Sequence, residues 1–298
     1  MTDTPSDLEQ QTLWTALREV EFSQRFADID GVRTRLVTAG DPSKPALVML
    51  HGTGGHWEAF SRILGPLSEH FYCVAYDMVG NGFSEKPDIP YDTFLYVSHM
   101  KGVLRHLGIE RTSVIGSSLG SWVAARFALE NPEMTDRVIL ISPAGLMATA
   151  ENMARIIRER TRAVNEASWE SIKAVFNHLI ADEENRIPDL IALRLAIYRR
   201  QDTRDTVGRM LTLQQDGVRQ ANLLTEEQWA SIQAPVLIVM SGKDHKEYET
   251  TAHRVLEMIP DARALPMPHI AHWAAFEDAD GFLAGALPFL SGAADADL

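Results

Sequence analysis

Residues 112–121 read TSVIGSSLGS, and the fold turns on them. Thr112–Ile115 is β-branched and apolar, the composition of a short buried strand. Gly116-Ser117-Ser118-Leu119-Gly120 follows, and the chain then continues at helical spacing through Asn131. Glycines two residues before and two after Ser118 let a strand turn sharply into a helix, leaving one serine at the apex with strained backbone angles. Ser117 and Ser121 lack that flanking pair, so Ser118 is the residue the turn presents.

Outward from this turn, short apolar runs alternate with longer amphipathic ones, the pattern of a mostly parallel sheet flanked by helices, an α/β fold. A helix is expected near Asp7–Val20, then a hairpin in FADIDGVRTRLVTAG with Asp30-Gly31 at its turn. Strands are predicted at Ala46–Gly52, Phe71–Asp77, Arg137–Pro143, Pro235–Gly242 and Arg263–Pro268, with helices at Leu119–Asn131, Glu247–Ile259 and Ala274–Leu290. Residues 147–224 have helical periodicity and little strand signal. They hold 12 Lys and Arg against 11 Asp and Glu, although the whole chain carries −13. We expect residues 1–146 and 225–298 to form the α/β core and 147–224 a helical cap inserted over it.

The 298-residue length suits one large α/β domain with an insertion. An acidic body repels phosphate backbones, so nucleic-acid binding is not expected. The single cysteine, Cys73, supports neither an internal disulfide nor a cysteine-rich zinc site. No apolar run reaches membrane-spanning length and the polar N-terminus has no signal-peptide core, so the expectation is a cytoplasmic protein without membrane partners. The composition leaves room for a homodimer.

A serine hydroxyl is a poor nucleophile until a base takes its proton. Asp244 follows an expected strand, and His272 sits in the loop HIAHW after the next one. Both stand where open α/β sheets build sites, at the carboxyl edge of the strands. Read singly, Asp244 suits a turn or helix cap and His272 an ordinary loop; jointly with Ser118 they make a catalytic triad. His269 and His272 lack a third metal ligand nearby, so no metal is expected, and His245, on the acid's own loop, is the weaker base. His51-Gly52-Thr53-Gly54-Gly55 follows the strand ALVML; the Thr53 and Leu119 amides are the expected oxyanion donors. Arg194 has Leu190, Ile191, Ile197 and Tyr198 at its helical neighbours and so projects from an apolar face. A buried guanidinium needs an anion, either a protein carboxylate or a substrate carboxylate.

The chain resembles the α/β-hydrolase superfamily, and within it most closely the meta-cleavage-product hydrolases, which cut carbon–carbon bonds in ring-fission products of aromatic degradation. The likeness rests on VRTRLVTAG, DMVGNGFSEKP, the GSSLG turn, ISPAGL and HIAHWAAFEDADGF, and on the order Ser118, Asp244, His272. It implies a small carboxylate-bearing substrate of the 2-hydroxy-6-oxo-dienoate type, an acyl-enzyme, and no cofactor. It places Arg194 on the substrate's carboxylate and Trp273 in the pocket, where core packing is the other reading of the tryptophan. Gly54 and Ser117 complete the expected substrate contacts. The sequence departs from the family at HGTGGH, at Ser117 and Ala59 where asparagines are usual, and at Ala271 where glycine is. Two other functions fit the same residues: a carboxylesterase for small esters or monoesters, and a catalytically silent binding protein of the same fold.

Overall fold

A computed structural model describes residues 12–293. Its eight strands are β1 (Phe22–Ile29), β2 (Val32–Ala39), β3 (Ala46–Leu50), β4 (Tyr72–Tyr76), β5 (Thr112–Ser117), β6 (Thr135–Ile141), β7 (Val236–Ser241) and β8 (Ala262–Met267). They form one sheet in the order β1-β2-β4-β3-β5-β6-β7-β8. β1 and β2 are the antiparallel hairpin, β2 lies antiparallel to β4, and every later pairing is parallel. Asp30 and Gly31 both take positive φ at the hairpin turn (52° and 86°), which matches the twist of the flanking strands. The inner strands β3 and β5 are buried at every residue, because helices cover both faces of a parallel sheet; unbroken apolar runs follow.

The helices are α1 (Leu13–Leu17), α2 (Ser61–Ser68), α3 (Thr93–Leu107), α4 (Leu119–Glu130), α5 (Ala150–Glu166), α6 (Trp169–Phe176), α7 (Pro188–Tyr198), α8 (Gln201–Met210), α9 (Asp216–Asn222), α10 (Glu226–Ala230), α11 (Lys246–Met258), α12 (Ala274–Glu277) and α13 (Ala279–Leu290). The helix expected near Asp7–Val20 is described only as α1, which starts at a Thr12 capping box; residues 7–11 of that span lie outside the described region. The helix expected over Ala274–Leu290 is two. Asp278 breaks it by leaving helical geometry and accepting the Gly281 amide at 2.9 Å, capping a fresh start. Between β6 and β7 the chain is wholly helical, α5 to α10, and α5–α9 lie beside the carboxyl ends of the strands. Chain order reverses direction across the sheet at β3, with β4 on one side and β5 on the other, so a crevice opens at that edge. Among the described residues no helix is long and apolar enough to cross a membrane.

Candidate active site

Ser118 sits between β5 and α4 with φ 53° and ψ −113°, outside the comfortable regions for an L-residue. The strain persists because the surroundings fix it. The Ser118 amide donates to the Ile141 carbonyl at 2.9 Å, and the Ser118 carbonyl accepts from the Ser121 and Trp122 amides. The glycines are obligatory for space. A Cβ on Gly116 would lie 2.3 Å from the Gly120 carbonyl oxygen, and one on Gly120 would lie 2.0 Å from that of Leu50.

His272 and Asp244 come together from the ends of β8 and β7. His272 Nδ1 lies 3.0 Å from both Asp244 carboxylate oxygens. Burial alone would raise the Asp244 pKa, but the charge and hydrogen bond of His272 outweigh it and hold the carboxylate below its ordinary value. The histidine loop is pinned from two sides. The His272 and Trp273 amides both donate to the Leu179 carbonyl (3.1 and 3.0 Å), while the His272 carbonyl accepts from Ser142 Oγ at 3.2 Å. Ser118 and His272 face one cavity of about 350 Å³. Among the described residues no hydrogen bond joins their side chains, as is common before substrate tightens such a site, and Tyr248 lines the same cavity. Neither rival role for a histidine is met. His245 caps α11 by accepting the Glu247 amide, and His269 pairs with Asp278 in solvent at 2.8 Å. Among the described residues no cluster of three or more metal-ligating side chains exists.

Thr53 and Leu119 both line the cavity beside Ser118. Leu119 opens α4, so its amide has no partner within the helix, and among the described residues neither amide has another acceptor. The loop carrying Thr53 is held by buried neutral histidines. His51 Nε2 accepts the Met78 amide at 3.0 Å, which leaves Nδ1 as the donor to the Gly52 carbonyl at 2.8 Å. His99 Nδ1 accepts the next amide, Val79, at 3.1 Å, and Nε2 donates to Thr34 Oγ1 at 2.8 Å. Burial pushes both rings down to about 4, in keeping with the acceptor role each plays. Asn81, on the same segment, accepts the Gly54 amide at 3.0 Å. Beneath lies Arg35, which donates to Asp77 (2.7 and 3.1 Å) and to both oxygens of Glu58 (2.9 and 2.8 Å).

Arg194 is different. It is 1% exposed and stacked over Phe176 and Trp273, 4.5 and 5.3 Å from their ring centroids. Its Nε and Nη1 have no hydrogen-bond partner, and no carboxylate among the described residues pairs with it. Burial pushes its pKa down to about 10. Arg194 and Trp273 both line the cavity that Ser118 opens onto.

Two of the expected substrate contacts lie elsewhere. Ser117 Oγ is buried without a partner and away from the cavity, because consecutive strand residues point to opposite faces and Ser118 takes the open one. Gly54 turns toward Tyr198 and Met210 of the helical insert, and its carbonyl accepts from the Tyr198 hydroxyl at 3.3 Å. The sequence reading did not single out Arg35, Asn81, Gln214 or Tyr248; Arg35, Asn81 and Tyr248 meet partners distant in the chain, and Gln214 meets Arg219 five residues on.

The family model described as the alpha/beta hydrolase family matches residues 47–285. The chain belongs to that family. Among curated hydrolases, it is 28% identical over 290 residues to the 2-hydroxy-6-oxo-6-(2'-aminophenyl)hexa-2,4-dienoic acid hydrolase of Metapseudomonas resinovorans, spanning 93% of this chain and 94% of that one. It is 28% identical over 272 residues to a 2-hydroxy-6-oxononadienedioate/2-hydroxy-6-oxononatrienedioate hydrolase of Comamonas testosteroni, spanning 88% and 93%. Among solved hydrolases, the 2-hydroxy-6-oxo-6-phenylhexa-2,4-dienoate hydrolase of Rhodococcus sp. strain RHA1 has the same fold, with a TM-score of 0.81 at 22% identity over 92% of this chain and 99% of that one.

Proposed function

We propose that this alpha/beta hydrolase cleaves the carbon–carbon bond of a meta-cleavage product, a 2-hydroxy-6-oxo-dienoate, with Ser118, His272 and Asp244 as its catalytic triad. One observation carries the substrate reading: Arg194 is a buried cation without a protein anion in the cavity that Ser118 faces. A charge in that position is stable when a ligand carboxylate supplies the missing partner. The names of the two curated relatives, a hexadienoic acid hydrolase and a nonadienedioate/nonatrienedioate hydrolase aligned over most of their length, support the 2-hydroxy-6-oxo class.

The substrate enol ketonises, taking a proton at C5, so that C6 becomes an isolated carbonyl. His272, held in one tautomer by Asp244, takes the Ser118 proton as the oxygen attacks C6. The Thr53 and Leu119 amides hold the oxyanion. Collapse breaks the C5–C6 bond, and its electron pair passes into the conjugated 2-oxo system as a dienolate. The dienolate receives the His272 proton and leaves as a 2-hydroxydienoate, with its carboxylate on Arg194. Water activated by His272 then hydrolyses the acyl-enzyme, so one water is consumed and one acid is released.

The test is bleaching of a coloured meta-cleavage dienolate, run beside a short-chain nitrophenyl ester and the Ser118→Ala variant. Rapid bleaching that falls by roughly 10⁴-fold or more in the variant is expected. Brisk ester cleavage without bleaching would replace the reading with a carboxylesterase. Inertness of the wild type toward both substrates and toward a fluorophosphonate probe would make it a binding protein.

A further inference from the structure

The cavity wall around Trp122 holds polar groups that the triad and Arg194 do not use. Arg219 is 4% exposed and lies over the Trp122 ring, 5.1 Å from a ring centroid. Its Nη1 donates to Gln214 Oε1 at 3.3 Å and its Nη2 to the Met147 carbonyl at 3.2 Å, while Nε has no partner. Its nearest acid, Glu247, is 3.7 Å away and already accepts from Thr149 (N and Oγ1, both 2.7 Å) and Asn152 (3.1 Å). Glu247 supplies the counter-charge of Arg219, and the guanidinium keeps one N–H, Nε, without a partner. Because Arg219 fixes the Gln214 oxygen, the Gln214 amide N–H groups have no acceptor among the described residues, and Gln214 lines the cavity. Tyr248 adds a hydroxyl at the same end. Its ring packs against His272 with centroids 4.6 Å apart, and it lines the cavity together with Ser118. A purely apolar acyl group would strip water from these donors and return nothing to them.

The wider charge pattern points the same way. The chain carries −13, yet the cavity is lined by Arg155, Arg160, Arg194, Arg219 and Lys243 against Glu159 and Asp244. Asp244 is committed to His272, and Glu159 to Arg155 at 3.0 Å. Arg219 has Glu247 beside it at 3.7 Å, so one substrate carboxylate on Arg194 leaves Arg160 and Lys243 as the lining cations without an acid partner among the described residues.

We propose that Gln214, Arg219 and Tyr248 form a second anion subsite, which takes a carboxylate on the acyl side of the substrate a few bonds beyond the reacting carbonyl. The substrate is then a dianion, held at Arg194 and at this subsite, both of which line the cavity that Ser118 faces. The inference rests on Ser118 as the nucleophile and on Arg194 as the anchor of the first carboxylate. It does not rest on which bond breaks.

Two acyl donors of equal length test it: the 4-nitrophenyl monoester of glutaric acid and 4-nitrophenyl valerate. The wild type should favour the glutarate ester by at least 10-fold in kcat/KM. Gln214→Leu and Tyr248→Phe should each bring that ratio toward one, whereas Arg194→Met should leave the ratio standing. A general loss of structure slows both esters together and leaves their ratio where it was. Equal or better turnover of valerate by the wild type overturns the proposal. So does loss of the preference in Arg194→Met but not in Gln214→Leu, which would place the acyl carboxylate at Arg194. If ester turnover is too slow to follow, calorimetry on the Ser118→Ala protein decides. Glutarate should bind at least 10-fold tighter than valerate, with the difference lost in the double variant carrying Gln214→Leu; equal affinities overturn the subsite. Failure of the carbon–carbon reading appears separately, as a dienolate that does not bleach while the ester ratio is unaffected.

Discussion

Arg35 and Arg194 are both buried arginines within the same site region, and they are treated in opposite ways. Arg35 has two carboxylates arranged around its fork; burial alone would lower its pKa, but Asp77 and Glu58 outweigh it and the pKa ends above its ordinary value. Arg194 has aromatic faces above it and no acid, and its pKa falls to about 10. A saturated buried charge is part of the scaffold; an unsaturated one is held ready for something that arrives later. The first kind fixes the loop that carries Thr53, through Asp77, which also accepts the Trp57 amide at 3.0 Å. The second kind faces the place where a reactant would sit.

Removing each arginine should break the comparison in a different observable. Arg35→Met strands Asp77 and Glu58 without their cation and should lower unfolding stability by about 3–5 kcal/mol, read as a shift of the urea midpoint at constant slope. A stability within 1 kcal/mol of wild type would show that the carboxylates rearrange and that the two arginines are not opposites.

Acid sharpens the contrast next. His51 and His99 are held at about 4 instead of 6.5, so the folded protein binds fewer protons than the unfolded chain between those values. Their contribution is complete above pH 6.5 and is lost as pH falls through 4, roughly 3 kcal/mol for each ring at the low end. Urea unfolding at pH 7, 5.5 and 4.5 should show a falling midpoint, with a shallower fall in His99→Gln. A flat profile would mean that neither ring is held neutral by its amide.

Arg194→Met should leave stability unchanged or raise it slightly, because it removes a buried charge that no acid among the described residues pairs with. It should lower kcat/KM on a carboxylate-bearing substrate by about 30- to 1000-fold, the equivalent of ~2–4 kcal/mol. Turnover of an uncharged ester should change far less. Equal losses on both substrates would move Arg194 from recognition to structure.

The sequence made the turn at Ser118 legible because its cause is local: two glycines whose Cβ atoms would collide with nearby backbone. Asp244 and His272 were legible from their places after strands, since topology puts strand ends together. The apolar helix face placed Arg194 in the interior but left open what it meets there; only the packed structure shows aromatic rings where an acid could have stood. Arg35 was harder still. It sits in a hairpin strand that reads as ordinary alternation, and its partners Glu58 and Asp77 lie 23 and 42 residues away. Asn81 and Tyr248 escaped for the same reason, whereas Gln214 and its near neighbour Arg219 sit in a helical stretch with no motif to mark them. Ser117 was misplaced because proximity in sequence is not proximity in space: one step along a strand reverses the side chain.

The Leu179 carbonyl, on the short segment after α6, receives the backbone of His272 and of Trp273 together. That single oxygen works as an interlock. The segment lies between β6 and β7 and lines the cavity, so a displacement of Leu179 would carry the backbone of His272 and of Trp273 with it. The wall of the cavity and the loop after β8 thus share one anchor point, and a change at residue 179 reaches both side chains at once.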